Sequence, residues 1–148
     1  MKKIFLSKAF GLIVLCFSLS SVATTLITKE RICPLGGERF TVDVLGSYST
    51  FGQRLDLKTL GTYGTDPFRL EVCPNGFVDY KENYSKAELN KLEDLITSDN
   101  YQTLRLDNTD YFLLAKISEY MGADKLRIGG LYLKASWEAE NKGNRTQY

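Results

Sequence analysis

Two short phrases of the same design, Cys33-Pro34-Leu35-Gly36 and Cys73-Pro74-Asn75-Gly76, constrain this chain more than any other feature. Each follows an aliphatic residue, Ile32 or Val72, and each is followed by an aromatic residue, Phe40 or Phe77. Cys-Pro-x-Cys turns of this kind gather four thiolates around zinc, two from each turn. Here the fourth position is Gly36 in one phrase and Gly76 in the other. The chain also has no histidine. Two thiolates without an imidazole cannot close a tetrahedral structural site, so no metal is expected. Knuckles that face each other would still bring Cys33 and Cys73 together. In an oxidising compartment such a pair forms a disulfide. Closing a loop of about 41 residues is worth roughly 4 kcal/mol in the chain-entropy model. The alternative is a redox-active thiol, but neither phrase offers Cys-x-x-Cys or a histidine that would depress a thiol pKa.

The compartment is read from the N-terminus. Lys2, Lys3 and Lys8 form a positive region, Phe10 to Leu19 an apolar one too short to span a bilayer, and Ser21-Val22-Ala23 a small-residue cleavage site. Residues 1–23 are therefore expected to be a signal peptide, cleaved after Ala23, rather than a permanent anchor. Lipidation at Cys16 is not expected, because Leu15 stands where a small residue is required. Removing this segment takes three of the 19 basic residues and leaves 16 against 18 acidic, a net charge of −2. That balance, with charges scattered, gives no footprint for nucleic acid or for an anionic membrane. The mature chain is expected to be periplasmic or secreted. With no histidine it also lacks the commonest general base and metal ligand, so no cofactor is expected.

The remaining residues change character near position 85. Residues 24–84 carry glycine, threonine and aromatics around short runs at Arg39 to Leu45, Arg54 to Leu60, Phe68 to Val72 and Phe77 to Tyr80, read as strands. Ser47 to Gly52 and Gly61 to Pro67 read as loops. Five aromatics between Phe40 and Phe68 are expected to supply a modest core. From Ser85 the period turns helical. Ser85-Lys-Ala-Glu88 has the form of a capping box, and Leu89, Leu92, Leu95 and Ile96 make the stripe of a first helix reaching to about Asn100 and Tyr101. A second helix is expected from about Asn108 or Thr109 to Gly122. A third, capped by Asp124, runs from Lys125 to about Asn141. Ala115, Gly129 and Ala135 would allow the last two helices to approach as an antiparallel hairpin. Residues 142–148 read as a polar tail. The fold class is α+β: a small β-rich, zinc-ribbon-like unit without zinc (24–84), then three helices (85–141).

The paired Cys-Pro knuckles, the aromatic strand region, the capped helix and the run Gly129-Gly-Leu-Tyr-Leu-Lys-Ala-Ser-Trp137 together resemble a bacterial family known only as a domain of unknown function. In that family two Cys-Pro-x-Cys knuckles precede helices similar to tetratricopeptide repeats. The resemblance spans about Arg31 to Glu140 and implies no catalytic activity. The second cysteine of each knuckle is missing here, so Cys33 and Cys73 carry over only as structural residues.

Three functions are open at this level. The first is a non-enzymatic module that binds a protein partner or a second copy of itself. Its surface would be the last helix, apolar on more than one side, with Leu131, Tyr132 and Trp137 as the contact residues. The second is an enzyme using Asp79, Tyr80 and Glu82, which follow the second knuckle. The third is a binder of a small ligand or an envelope glycan through Tyr48, Phe51, Tyr63 and Phe68.

Overall fold

The two knuckles are the turns of two β-hairpins. The computed structural model describes residues 24–62 and 67–144; the expected signal peptide, Tyr63, Gly64, Asp66 and the tail from position 145 lie outside the described residues. β1 (Thr25–Ile32) pairs antiparallel with β2 (Arg39–Ser47), in a register that sets Ile32 against Arg39 and Ile27 against Val44. The first knuckle closes this hairpin, with the Cys33 N–H donating to the Glu38 carbonyl at 2.8 Å. Gly36 and Gly37 both have positive φ, 98° and 73°, which a side chain would resist. β5 (Glu71–Val72) and β6 (Val78–Asp79) are closed by the second knuckle in the same way, through the Cys73 N–H and the Phe77 carbonyl. Between them lies a third hairpin, β3 (Thr50–Gln53) with β4 (Thr59–Gly61).

A disulfide joins Cys33 to Cys73, with the two Cα atoms 5.6 Å apart. Asn75 adds a second tie, its Nδ2 donating to the Leu35 carbonyl at 2.8 Å. The core begins at this junction. Cys33, Leu35, Cys73, Phe77 and Val78 are buried against Leu92, Ile96, Tyr101, Leu113, Leu114 and Ile117 of the helices.

The architecture is α+β with four helices, not the three expected: α1 (Lys86–Ile96), α2 (Asp99–Asp107), α3 (Asp110–Tyr120) and α4 (Lys125–Asn141). The capping box forms as read, Ser85 and Glu88 each bonding the other's backbone N–H. Ser98 corrects the first helix. Its hydroxyl accepts from the Tyr101 N–H and starts α2 in a new direction. Tertiary docking on the second knuckle sets that direction. The Tyr101 hydroxyl donates to the Gly76 carbonyl at 2.9 Å, Gln102 to that of Asn75 at 3.1 Å and Arg105 to that of Pro74 at 2.7 Å. Gly76 has φ 89°, which disfavours any side chain, and a Cβ there would stand 2.6 Å from the Arg105 Cδ, so the arginine would have to shift. α3 starts from a Thr109 cap and α4 from an Asp124 cap. They run antiparallel: α3 Tyr111 N–H reaches Glu138, and Glu119 meets the Tyr132 hydroxyl. Ala115 and Ala135 are buried between the elements, whereas Gly129 faces open space.

Two further expectations are corrected. Residues Arg54 to Leu60 do not form one strand: Arg54 N–H donates to the Lys58 carbonyl, Leu57 has φ 71°, and only Thr59 onward is extended, while the expected loop at Ser47 to Gly52 supplies β3. The turn is held because its polar side chains are taken by the end of α4. Lys58, only 2% exposed, contacts Glu140 at 2.6 Å, Asn141 at 2.8 Å and the Trp137 carbonyl at 3.3 Å. Arg54 also bonds Glu140, and Asp56 accepts from the Trp137 indole at 3.0 Å. Lys58 and then Arg54 hold the Glu140 carboxyl below the ordinary range. Nor do the β-region aromatics build a core: Tyr48, Phe51 and Phe68 are exposed and Phe40 is half-buried. A two-stranded ribbon has too little surface to cover them.

Two outcomes test these two anchors. Replacing both Cys33 and Cys73 by Ser is expected to lower the urea unfolding free energy by roughly 4 kcal/mol; two free thiols in the denatured protein, purified without reductant, would overturn the bond. Lys58→Ala is expected to cost about 2–3 kcal/mol in the same assay, because it leaves a polar cluster without its central cation. A loss under about 0.5 kcal/mol, the level of an ordinary surface change, would remove Lys58 from the account.

Candidate functional site

The residues expected to bind a partner on α4 are not presented together. Trp137 is 4% exposed, its ring covered by the β3–β4 turn and its N–H spent on Asp56. That corrects its reading as a surface anchor. The same turn covers the side of α4 that a lone helical hairpin would have left bare. Leu131 is half-buried against the core, and Tyr132 packs edge-on against Phe112 at 5.6 Å while donating to Glu119. Leu126 and Leu133 remain exposed on this helix.

Asp79, Tyr80 and Glu82 do not form a cleft. Asp79 accepts from the Tyr84 hydroxyl at 2.8 Å, and that oxygen in turn accepts from the Tyr80 N–H. Tyr80 and Tyr84 stack edge-on with each other and with Phe77. Burial raises both phenols above their ordinary pKa. The group is a packed knot under the second knuckle, and Glu82 points to solvent. Among the described residues, no group of three His, Cys, Asp or Glu side chains could hold a metal ion.

The concave site lies elsewhere, in a cleft of about 850 Å³ between the first hairpin and the ends of α3 and α4. That size falls in the range of ligand pockets, roughly 300–1,000 Å³. Its apolar wall comes from Val42 of β2 and from Pro67, Phe68, Leu70 and Val72. The opposite wall is ionic: Asp110 at the first turn of α3, with Glu138, Asn141 and Lys142 at the end of α4. Arg69 stands exposed at the rim. Each wall has a local cause. Thr109 caps α3 and so sets Asp110 at its positive end. The antiparallel return of α4 brings Glu138 alongside, where its carboxylate accepts the Tyr111 N–H at 3.0 Å and pairs with Lys142 at 2.8 Å. Asp110 has no ion pair of its own among the described residues. Burial first, and then the Glu138 carboxylate, raise its pKa.

The exposed aromatics adjoin this cleft in part. Phe68 borders it, and Tyr48 packs edge-on against Phe68 at 4.9 Å. Phe51 is 72% exposed on the separate β3–β4 hairpin, and Tyr63 lies outside the described residues. Sequence reasoning missed Asp110 and Glu138. The first looked like an ordinary first-turn acid and the second like one of several polar residues late in a helix; only the helical return makes them neighbours.

Compared with protein-family models, curated proteins and solved structures, the chain matches none of them. The cleft must therefore be read from its own chemistry.

Asp110→Asn tests the ionic wall. A carboxyl raised in the folded state costs stability above its folded pKa, and the cost disappears as pH falls through the ordinary Asp range. The variant is expected to show a small rise in Tm at pH 7 that vanishes below about pH 3.5. A drop in Tm at pH 7 would mean that the helix-end charge outweighs desolvation and repulsion.

Proposed function

We propose that the chain is an exported, non-enzymatic protein–protein interaction module of the bacterial envelope, and that its contact surface is on the β side. The observation that carries this is where the apolar surface lies. Of twelve exposed large apolar side chains among the described residues, eight belong to the β region: Leu26, Ile27, Ile32, Tyr48, Phe51, Leu55, Leu57 and Phe68. Exposed apolar side chains that gather on one part of a surface mark contact sites more often than scattered ones do. The disulfide supports an oxidising compartment, and no helix of the described residues is long and apolar enough to cross a membrane. The zinc-ribbon-like ancestry of the knuckles and the tetratricopeptide-like character of the helices belong to the same proposal. Paired knuckle turns and the α3–α4 hairpin support it.

A photo-reactive residue placed at Phe68, Phe51 or Leu126 tests the surface in cells. Crosslinks to protein are expected from Phe68 and Phe51, and not from Leu126, which is exposed on α4. Equal crosslinking from Leu126, or none from either β position, would overturn the reading. One observation favours a second reading: the Phe68–Tyr48 pair at the cleft could stack on the face of a sugar ring, as an envelope-glycan binder would require. Chemical-shift changes at Phe68 and Tyr48 on adding soluble envelope glycan, with no crosslinks to protein, would support it over the first.

A further inference from the structure

Three consecutive residues of β2, Thr41, Val42 and Asp43, border the cleft. Successive side chains of a strand point to opposite faces, so a surface touching all three runs along the edge of the strand. β1 occupies one edge of β2 and no other strand pairs with it among the described residues. Nor does any backbone hydrogen bond outside the hairpin reach these three residues, among those described. Among the described residues, then, about 10 Å of strand edge beside the cleft is unpaired, with the backbone groups of Thr41 and Asp43 facing outward and those of Val42 turned to β1. A free edge of this kind is a template for another extended chain.

The other walls say what that chain carries. Val42, Leu70 and Val72 are half-buried and apolar, matched to side chains that alternate along a strand. The ionic wall is acidic where it is covered. Asp110 is half-buried without a salt bridge among the described residues; Glu138 beside it is paired with Lys142, and Lys142, Arg69 and Arg105 act on Asp110 only at longer range, the first two from the exposed rim. Covered charges discriminate between partners more strongly than rim charges do.

We propose that the cleft takes an extended segment of a partner protein, paired with the free edge of β2. Alternate apolar side chains of that segment rest on Val42, Leu70 and Val72, and one basic side chain lies beside Asp110 and Glu138. This rests on the interaction-module reading and names the kind of partner.

The test uses the full chain expressed with its leader and purified with the disulfide intact. The probe is a fluorescein-labelled octapeptide of alternating Val and Thr with one central Arg. Two comparison probes carry Glu in place of Arg, or N-methyl groups on one or the other alternate set of backbone amides. The Arg peptide is expected to bind about tenfold more tightly than the Glu peptide and to slow amide exchange at Thr41 and Asp43, whose N–H groups face away from β1. At least one N-methylated set is expected to lose about tenfold, because main-chain bonds carry the affinity. Combining Asp110→Asn with Glu138→Gln should bring the Arg and Glu peptides to within about twofold, with exchange protection at Thr41 and Asp43 retained as evidence of an intact fold. Unchanged binding by both methylated sets, no Arg preference, or no protection at β2 would each overturn the inference. Crosslinking at Phe68 without binding of the Arg peptide would reject this partner and leave the module reading intact; absence of both would reject both.

Discussion

The Cys33–Cys73 bond is the constraint on which the other contacts depend. It joins the turns of two hairpins that are each too small to be stable alone, and so makes one buried platform from two exposed ribbons. Leu35, Phe77 and Val78 can then be covered by helices, because the turns that carry them no longer move apart. α2 exploits this platform directly. Its Tyr101, Gln102 and Arg105 satisfy three carbonyls of the second knuckle, groups that would otherwise be left unpaired at a crowded junction.

A second anchor works at the far end of the β region. The β3–β4 turn delivers Lys58, Arg54 and Asp56 to the end of α4, and a buried lysine is tolerated there because each of its donors is satisfied. This clasp covers Trp137 and the C-terminal end of α4, while Leu126 and Leu133 stay exposed. The first hairpin is held mainly at its knuckle end, with an Arg31–Glu71 pair nearby. Its body leans away from the helices, and the cleft is the space this leaves. The cleft is therefore a consequence of where the two anchors sit, and among the described residues no strand but β1 pairs with β2.

That origin gives the site its character. Its apolar wall is strand and loop, its ionic wall is two helix ends, and only the latter brings like charges together. Asp110 and Glu138 lie 28 positions apart in the chain, and each has a structural role, one at a helix start and the other capping its neighbour's first turn. Burial and the neighbouring Glu138 carboxylate raise the Asp110 pKa, against the longer-range pull of Lys142, Arg69 and Arg105.

How much could be read beforehand depended on the range of the interaction. Local chemistry was legible: the Ser85–Glu88 capping box, the Asp124 cap with α4 behind it, the extended run at Arg39, and the two cysteine phrases whose glycines set the turns. These rest on contacts within a few residues, which the sequence states directly. The break between α1 and α2 was not legible, because Ser98 is one polar residue among several and it is the knuckle's carbonyls that draw Tyr101 away. The Arg54 to Leu60 run alternates like a strand, yet its polar residues were recruited by a helix more than 80 positions on. Trp137 looked like a surface anchor for the same reason. By itself the sequence determined the two knuckles, the means of joining them and the helical class of the second half. Only the tertiary structure decided which apolar groups are covered and which carboxylates meet, since both follow from where distant segments pack rather than from what each segment is.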